Sequence, residues 1–341
     1  MSFSFNFVPN AEHASTFVNA DSSGACIEVG KKQPEKMNSW FSWIKQETAG
    51  SFFESFLQKE HAQNESIPLV PRQQQGVRTA NDYILRVREE SASFRSRNTD
   101  LVPGVYEGGL KVWECSVDMC RYFLSQNIII DGHVLELGCG HGLPGIFILK
   151  QAILLSQQKP IDCCITFSDY NEFVIKDVTM PNVAINVQDT CSKRLDSVDG
   201  QQNIEHWLRE HVTFGAGDWL VMSDTLFEKG TDSIALKQPK HPALPKDGLY
   251  DCILASETTY SETSAMETAE LLSRHLKPGK GVSYISTKRY YFGVGGGTKC
   301  LCDALHKQKA HKFHIETLKV YDNGAGNIRE LLLVKSLGPK S

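Results

Sequence analysis

The sequence predicts an α/β fold with a central sheet of seven strands, of which five are parallel and the last two form an antiparallel hairpin. Three observations predict it. From residue 105 onward, short apolar runs alternate with amphipathic segments, which is typical of strands alternating with helices. A glycine-rich stretch follows the first of these runs and a carboxylate follows the second. The last two runs are separated by a turn sequence that is too short for a helical crossover.

The elements of the first half are predicted in the order strand, helix, strand, helix, strand, over His133–Gly138, Leu143–Leu155, Asp162–Ser168, Phe173–Met180 and Val212–Gly217. The second helix is expected to stop at Pro181, because proline lacks a backbone N–H and clashes with the preceding turn. Polar stretches at residues 188–203 and 223–247 are typical of surface insertions.

The second half continues this alternation and ends in the hairpin, over Tyr250–Ser256, Met266–Leu276, Gly281–Ser286, His311–Tyr321 and Arg329–Lys335. The turn sequence Asp322–Gly326 makes the last pair antiparallel, whereas the earlier strands are joined through helices and are expected to be parallel. This is the plan of the seven-stranded, Rossmann-like class I methyltransferase fold. Residues 1–100 show no sustained strand pattern, although the aromatic residues between 40 and 57 have spacings that suit helices.

The composition agrees with a domain over residues 101–341 and a variable, partly ordered extension over residues 1–100. Of the 341 residues, 41% are hydrophobic and 22% are charged, which is typical of a globular protein. No apolar run approaches the roughly 18 residues that a membrane span needs, and the N-terminus lacks the basic and apolar regions of a secretion signal. We therefore expect a soluble intracellular protein without membrane contact.

Charge and cysteine content narrow the classes of partner and cofactor. The formal net charge of −4 provides no long-range attraction to nucleic acid, so we expect no direct sequence-specific nucleic-acid contact. The ten cysteines are scattered without Cys-x-x-Cys spacing, which indicates reduced thiols and no metal site. We expect a monomer, because no coiled-coil pattern or long apolar face is present.

The first glycine-rich stretch, Glu136–Gly145, lies between a strand and its helix, where doubly wound folds bind ligands. Its spacing fits two cofactor classes, because Gly140-x-Gly-x-x-Gly145 matches the dinucleotide fingerprint and Glu136-x-Gly-x-Gly140 matches S-adenosylmethionine binding. The apolar run ends at Leu137, so Gly138 is the natural first turn glycine, which favours S-adenosylmethionine over a nicotinamide cofactor. No Gly-Lys-Ser/Thr follows, which excludes a Walker-type phosphate loop.

Polar residues at the next two strand ends are candidates for holding such a cofactor. Asp169 can accept hydrogen bonds from both ribose hydroxyls, although it can also cap a helix. Asp218 and Trp219 can offer a carboxylate to the adenine amino group and an indole face to its ring.

Four motifs resemble those of the eukaryotic protein-histidine N-methyltransferases of the methyltransferase-like group, and the opening MSFSFNF resembles fungal members. The motifs are YEGGLKVWECS at Tyr106–Ser116, SDYN at Ser168–Asn171, SETTY at Ser256–Tyr260 and YFGVGGG at Tyr291–Gly297. The resemblance covers roughly residues 101–337. It implies that S-adenosylmethionine methylates the tele nitrogen of a histidine, usually in a large-subunit ribosomal protein, and that the protein is cytoplasmic and nuclear.

Together with the glycine loop, the resemblance implies the residues that bind the cofactor. These are Val112, Trp113, Glu114, Cys115, Ser116, Gly138, Gly140, Ser168, Asp169, Tyr170, Gly217, Asp218, Trp219 and Ser256. One departure is Asp218, where other members can have glutamate, and its shorter side chain reduces the reach toward adenine.

Histidine is a suitable acceptor because its imidazole is largely neutral at cytosolic pH. Methyl transfer mainly requires alignment in a dry pocket, together with a group that fixes the imidazole tautomer. A carboxylate that accepts the hydrogen bond of the non-attacking nitrogen fixes that tautomer. Glu257 is our candidate for this carboxylate, with Tyr260 as the second catalytic candidate, although Glu257 can instead order the loop or cap the next helix.

The late glycine-rich stretch follows the fifth strand and lacks the Lys-Ser/Thr of phosphate loops. We expect it on the acceptor side, with two aromatic residues as a wall and glycines that let the backbone approach the substrate. The substrate-side residues are Tyr291, Phe292, Gly293, Gly295, Gly296 and Gly297. A tight turn into a helix at Thr298 is the alternative, and Lys288 and Arg289 serve either loop solvation or substrate docking.

Three other functions remain open from the sequence. A lysine methyltransferase needs a narrow aromatic channel, which Tyr260, Tyr290 and Tyr291 can supply. A non-catalytic S-adenosylmethionine-binding partner protein needs the same cofactor motifs without acceptor chemistry. A nicotinamide dehydrogenase is the third alternative.

Overall fold

A computed structural model describes most of the chain from residue 108 onward and three earlier segments. The described residues are 40–57, 64–69, 84–88, 108–155, 162–192, 200–227, 241–309, 311–322, 324 and 326–339. Tyr106 and Glu107 of the first motif, Asn323 and Ala325 of the hairpin turn, the MSFSFNF opening, and residues 228–240 of the second polar stretch lie outside the described residues.

The strands of the described residues are β1 Phe41–Trp43, β2 Asn64–Pro68, β3 Ile84–Arg88, β4 Gly132–Leu137, β5 Cys163–Asp169, β6 Val212–Gly217, β7 Cys252–Ser256, β8 Val282–Lys288, β9 His311–Tyr321 and β10 Arg329–Pro339. The α-helices are α1 Gln46–Leu57, α2 Glu114–Ser125, α3 Leu143–Leu155, α4 Glu172–Val174, α5 Met180–Ser192, α6 Gly200–His211, α7 Trp219–Phe227, α8 Glu262–His275 and α9 Thr298–Lys307. A π-helical stretch, Ile175–Thr179, separates α4 from α5. Of these helices, none is long and apolar enough to cross a membrane.

The central sheet has eight strands in the order β1-β6-β5-β4-β7-β8-β10-β9. Strands β4 to β8 pair in parallel, and β10 runs antiparallel to both β8 and β9. This confirms the predicted five parallel strands with a C-terminal hairpin, which is the class I methyltransferase fold. The strand order reverses on either side of β4, and such a switch point opens a crevice at the carboxyl ends of the strands.

Helices cover both faces of the parallel strands, and successive side chains of each strand point to opposite faces. Val134 of β4 packs into a core with α1, α2, α3, α5 and α6, which includes Phe53 and Phe123. Its neighbour Leu135 packs into a second core with α7, α8 and α9, which includes Leu272. The apolar runs in the sequence are therefore strands covered by helices on both sides.

The segments before residue 100 contribute strands that the sequence pattern does not predict. β1 pairs antiparallel with β6 at the edge of the main sheet, and β2 pairs with β3 in a separate hairpin. The side chain of Asn186 in α5 accepts a hydrogen bond from the backbone of Arg86 at 2.9 Å and donates one to it at 2.7 Å, which fixes β3 against the helix. Strands of three to five residues are too short to show an alternating pattern. The division of the chain at residue 100 stays a prediction.

The predicted helix stop at Pro181 is wrong. The chain remains helical through the proline to Ser192, the last residue of α5. Pro181 lies in the first turn of α5, where a backbone N–H has no partner inside that helix. In the π-helical stretch just before it, hydrogen bonds join residues five apart instead of four. The regular α-helical bonding is therefore already interrupted here, and the missing N–H of Pro181 does not break the helix.

Candidate active site

A cavity of about 480 Å³ lies at the carboxyl ends of β4 to β7, at the switch point of the sheet. Most of the predicted cofactor residues line it, namely Val112, Trp113, Ser116, Gly138, Gly140, Asp169, Tyr170, Asp218, Trp219 and Ser256. Four predicted cofactor residues do not line it, namely Glu114, Cys115, Ser168 and Gly217. Both catalytic candidates, Glu257 and Tyr260, lie in its wall. Among the described residues, no group of His, Cys, Asp or Glu side chains is arranged to hold a metal ion.

The first glycine loop connects β4 to α3 along one side of the cavity. Gly138 and Gly140 have φ angles of 57° and 48°, in the left-handed region that favours glycine. A Cβ atom on Gly138 would lie 2.9 Å from Cγ2 of Thr258 and 3.3 Å from Cζ2 of Trp219. The ends of β6 and β7 therefore pack directly against this loop.

Asp169 ties the end of β5 to the same loop. Its buried carboxylate accepts a hydrogen bond from the N–H of Gly140 at 2.9 Å and another from the N–H of Asn171 at 3.1 Å. A carboxylate oxygen has further lone pairs, so Asp169 can shape the loop and still accept bonds from a ligand in the cavity.

Glu136 lies beneath the loop and outside the cavity wall. Its carboxyl group accepts a hydrogen bond from the N–H of Gly145 at 2.8 Å. Burial raises the pKa of Glu136 from its usual value near 4.5 to about 8, and the hydrogen bond from Gly145 only partly offsets this. Glu136 is therefore largely protonated at neutral pH.

The end of β6 and the start of α7 form another wall of the cavity. One carboxylate oxygen of Asp218 accepts hydrogen bonds from the N–H groups of Leu220 at 2.8 Å and Val221 at 3.1 Å, so Asp218 caps α7. Trp219 follows it, and its buried indole Nε1 has no hydrogen-bond partner among the described residues. Asp218 therefore has a structural role in addition to lining the cavity.

Glu257 follows β7 with a backbone φ of 57°, which is rare for a residue other than glycine. Its side chain is 6% exposed, and its Oε2 accepts a hydrogen bond from the hydroxyl of Tyr291. Nζ of Lys288 lies 3.9 Å from the same oxygen. The other oxygen, Oε1, is buried and has no hydrogen-bond partner among the described residues. The carboxylate is thus held in place through Oε2, and the Cys115 thiol is a further hydrogen-bonding neighbour of it.

Tyr291 belongs to a chain of hydroxyl groups behind Glu257. Its hydroxyl lies 3.2 Å from Oγ1 of Thr287, which lies 2.8 Å from Oγ1 of Thr259. Burial, and after it the nearby carboxylate of Glu257, raise the pKa of Tyr291 well above its usual range. The hydroxyl therefore stays protonated and donates to Glu257.

Cys115 and Lys288 complete the surroundings of Glu257. Burial, followed by the Glu257 carboxylate, raises the pKa of the Cys115 thiol well above its usual range, so this cysteine is a neutral neighbour of the carboxylate. Nζ of Lys288 lies over the rings of Trp113 and Tyr291, at 5.5 and 5.4 Å from their centroids. Arg289 turns away and pairs with Glu330.

The late glycine-rich stretch mostly lies behind the cavity wall. Of its predicted substrate-side residues only Tyr291 lines the cavity, whereas Phe292 is 84% exposed. A Cβ atom on Gly296 would overlap the backbone of Thr259 and Tyr260. The N–H of Gly297 donates to the carbonyl of Thr259 at 2.8 Å. These glycines fit the stretch onto the loop after β7, and a substrate contact through them stays a prediction.

His141, Thr258 and Lys111 also line the cavity but were not identified from the sequence. Burial lowers the pKa of His141 to about 4, so its ring is neutral. The position of His141 inside the glycine loop is the only sequence signal that points to it, and Thr258 has a similar signal next to Glu257.

The residues present fit S-adenosylmethionine. Several buried polar atoms at the cavity have no partner among the described residues, including Oγ of Ser256, Oγ1 of Thr258 and Nε1 of Trp219. Buried polar groups normally have hydrogen-bond partners, so these atoms indicate a polar ligand. Asp169 suits ribose hydroxyls, and the indole of Trp219 suits a flat aromatic ring.

Comparison with known sequences gives two related descriptions. A family profile described as lysine methyltransferase matches residues 104–231. The chain is 34% identical over 235 residues to "Histidine protein methyltransferase 1 homolog" of Dictyostelium discoideum, covering 69% of this chain and 60% of that protein. It is 34% identical over 244 residues to the protein of the same name in Rattus norvegicus, covering 69% and 58%. For "Histidine protein methyltransferase 1" of Schizosaccharomyces pombe the identity is 30% over 201 residues, covering 58% and 56%.

The chain thus spans 56% to 60% of the length of these relatives. Solved structures are more distant. A putative S-adenosylmethionine-dependent methyltransferase from Streptococcus mutans has a TM-score of 0.40 at 10% identity, covering 81% of this chain and 56% of that one. TrmN from Thermus thermophilus has a TM-score of 0.37 at 13% identity, covering 65% and 49%. The fold assignment therefore depends on the strand order of this chain and not on these structures.

Proposed function

Because this chain belongs among the relatives of histidine protein methyltransferase 1, we propose that it methylates a histidine side chain of a protein. Its cofactor is S-adenosylmethionine. Following the sequence resemblance, we further propose that the tele nitrogen accepts the methyl group and that the substrate is a large-subunit ribosomal protein. We propose that the protein acts as a monomer in the cytoplasm and the nucleus.

The bound cofactor supplies an electrophilic methyl group. The chain's own residues hold it in place, with Asp169 at the end of β5, Trp219 at the start of α7 and the backbone of the Gly138–Gly140 turn. The reaction then needs an acceptor nitrogen with a free lone pair, held in line with the methyl group and away from water.

The Glu257 carboxylate in the cavity wall, held through Oε2 by Tyr291, is the observation that carries the histidine assignment. An imidazole N–H can donate a hydrogen bond to this carboxylate, which fixes the tautomer and leaves the lone pair on the other nitrogen. If the pros nitrogen carries that proton, the tele nitrogen attacks. The imidazolium that forms is cationic, and the nearby carboxylate stabilises it.

The hydroxyl of Tyr291 fixes the carboxylate by donating to Oε2. The left-handed backbone of Glu257 and the bond from its N–H to the carbonyl of Ser286, at 2.9 Å, set the direction of the side chain. Tyr260 lies in the same wall and is our candidate for contact with the acceptor ring.

Lysine methylation is the alternative that the family profile favours. A lysine acceptor must lose a proton before it attacks, and a carboxylate beside it favours the charged ammonium form instead. Glu257 in the wall therefore supports a neutral acceptor such as imidazole over lysine. A non-catalytic cofactor-binding protein would have no use for the Glu257 and Tyr291 arrangement.

The test is incubation of the full chain with radiolabelled S-adenosylmethionine and a ribosome-containing lysate, followed by amino-acid analysis of the labelled protein. We expect the label in tele-methylhistidine. Label in methyllysine would support the alternative, and absence of label would contradict enzymatic activity. Separated large and small ribosomal subunits then test the substrate, because label on histidine of any other protein contradicts only the ribosomal proposal.

A further inference from the structure

We propose that the edge strand β1 is a positioning element of the cofactor site, which holds the β6 end against the cavity and thereby sets cofactor affinity. The strand lies well before residue 104, where the family profile begins to match. The inference rests on the proposed binding of S-adenosylmethionine in the cavity, and it does not depend on which side chain is methylated.

The first observation is the pairing of β1 with the residues that lead into the cavity wall. Phe41 lies opposite Gly217, and Trp43 lies opposite Gly215. The N–H of Asp218 donates to the carbonyl of Trp40 at 2.8 Å. The backbone of a residue that lines the cavity is therefore bonded directly to the residue before β1.

The second observation explains the glycine pair at the end of β6. Gly217 has a φ of 123°, and a Cβ atom there would overlap the carbonyl of Trp40. A Cβ atom on Gly215 would overlap the ring of Phe41. Gly217 does not line the cavity, so its contact with β1 accounts for the glycine, and its role in cofactor binding stays a prediction.

The third observation is that β1 also holds α7. The indole Nε1 of Trp43 donates to Oγ1 of Thr225 in α7 at 3.1 Å. Asp218 caps the start of the same helix, and Trp219 packs against Gly138 of the first glycine loop. Bonded and packed groups thus run without a break from β1 to the loop that faces the cofactor.

The strand can be perturbed at Ser42 with little change to side-chain packing, because Ser42 is exposed. Bonded pairs alternate along antiparallel strands. The N–H of Asp218 donates to the carbonyl of Trp40, and the N–H of Ile44 donates to the carbonyl of Phe214. Ser42 lies between these two bonded pairs and opposite Ala216, so its N–H faces the carbonyl of Ala216. Ser42→Pro removes this N–H, whereas Ser42→Ala keeps it and is the matched control.

The experiment is calorimetric titration of the full-length variants with S-adenosylhomocysteine and with 5′-methylthioadenosine, which lacks the amino-acid part. We expect Ser42→Pro to weaken both ligands by the same factor of about ten, or about 1.4 kcal/mol, relative to Ser42→Ala. The KM for the protein substrate at saturating cofactor should not change, which separates positioning of the cofactor from general loss of structure.

Equal affinities in the two Ser42 variants would overturn the proposal. If circular dichroism shows that Ser42→Pro is unfolded, Trp43→Phe decides, because it removes the N–H that bonds to Thr225 and keeps an aromatic ring at this position. We expect this variant to weaken both ligands about threefold, and unchanged affinity would again overturn the proposal. Because these titrations contain no acceptor, a failure to methylate histidine leaves their outcome intact.

Discussion

The cofactor half and the acceptor half of the cavity both contain glycine-rich loops, but the glycines lie on different sides of the wall. In the first loop, Gly138 and Gly140 line the cavity in left-handed conformations. In the late loop, Gly296 and Gly297 lie behind the wall and fit against the backbone of Thr259. Glycine spacing alone therefore does not identify a ligand-binding loop.

The two halves of the cavity also differ in their hydrogen bonds. In the proposed cofactor half, the carboxylate of Asp169 accepts hydrogen bonds from the backbone N–H groups of Gly140 and Asn171. In the proposed acceptor half, the hydroxyl of Tyr291 donates a hydrogen bond to the carboxylate of Glu257. We therefore expect substitutions in the cofactor half to change cofactor affinity, and substitutions in the acceptor half to change turnover.

The largest effect is expected for Glu257→Gln. Loss of the carboxylate removes both the tautomer control and the stabilisation of the imidazolium, so we expect turnover to fall by about 10²- to 10³-fold. The dissociation constant of S-adenosylhomocysteine should stay within about twofold, because Glu257 is in the acceptor half. Steady-state methyl transfer and calorimetry measure the two quantities.

The matched control is Glu270→Gln. Glu270 belongs to α8 but does not line the cavity, so this variant should behave as the wild type. Full activity of Glu257→Gln would remove Glu257 from the mechanism. A loss of cofactor affinity as large as the loss of turnover would erase the distinction between the halves.

Gly296→Ala is expected to have the next largest effect. Its Cβ atom would overlap the backbone of Thr259 and Tyr260, so the late loop must separate from the loop that carries Glu257. We expect a loss of about 2–3 kcal/mol in the free energy of unfolding and a clear loss of turnover. Urea unfolding and methyl-transfer assays measure both.

Gly293→Ala is the comparison variant in the same loop. Gly293 has a φ of 82°, but a Cβ atom there meets nothing within 4 Å. The substitution should cost only the strain of a left-handed alanine, about 1 kcal/mol of unfolding free energy. A larger effect at Gly293 than at Gly296 would contradict the docking of the late loop.

Asp169→Asn tests the cofactor half. The amide group would place N–H atoms against the N–H of either Gly140 or Asn171, so one of the two hydrogen bonds is lost. We expect cofactor affinity to fall about tenfold, while turnover at saturating cofactor is mostly retained. Asp177→Asn, at an exposed position of the π-helical stretch, is the control. A reduced turnover with normal cofactor affinity would contradict the assignment of Asp169 to the cofactor half.

A pH dependence of stability is expected from Glu136. Its pKa is about 8 in the folded chain and near 4.5 when unperturbed, so the folded state retains a proton that the unfolded state has lost. Its contribution to stability is complete below pH 4.5, falls by at most about 1.4 kcal/mol for each pH unit above that, and is lost once the pH has passed 8.

Glu136→Gln should remove this dependence, because glutamine can accept the bond from Gly145 without titrating. Denaturant unfolding of both proteins from pH 5 to 9 measures the difference. Parallel pH profiles for the two proteins would contradict the protonated state of Glu136.

The sequence predicted the parallel strands well because each is a buried apolar run that ends in glycine or a polar residue. Predicted and observed bounds of β4, β5, β6 and β8 differ by at most two residues at either end. β1 was not predicted, since three residues have no usable pattern and their pairing depends on a strand far along the chain. The sequence signal for β1 is the pair Gly215 and Gly217, where a side chain would overlap Trp40 or Phe41.

The candidate site was predicted to the extent that it depends on strand ends. The carboxyl ends of parallel strands meet at one edge of the sheet, so Asp169, Trp219 and Glu257 were expected together. Side-chain direction in the late loop was not predictable, because it depends on how that loop docks. Tyr291 is buried and lines the cavity, whereas its neighbour Phe292 is exposed.

The left-handed backbone at Glu257 places the proposed catalytic role of this residue and the stability of the fold in competition. Such a conformation costs of order 1 kcal/mol or more for a glutamate and nothing comparable for glycine. Glu257→Gly relieves this strain but leaves the buried hydroxyl of Tyr291 without the carboxylate, so we expect little net gain in stability together with a loss of turnover. A descendant sequence in which glycine has replaced Glu257 is therefore expected to have lost the proposed methyl transfer.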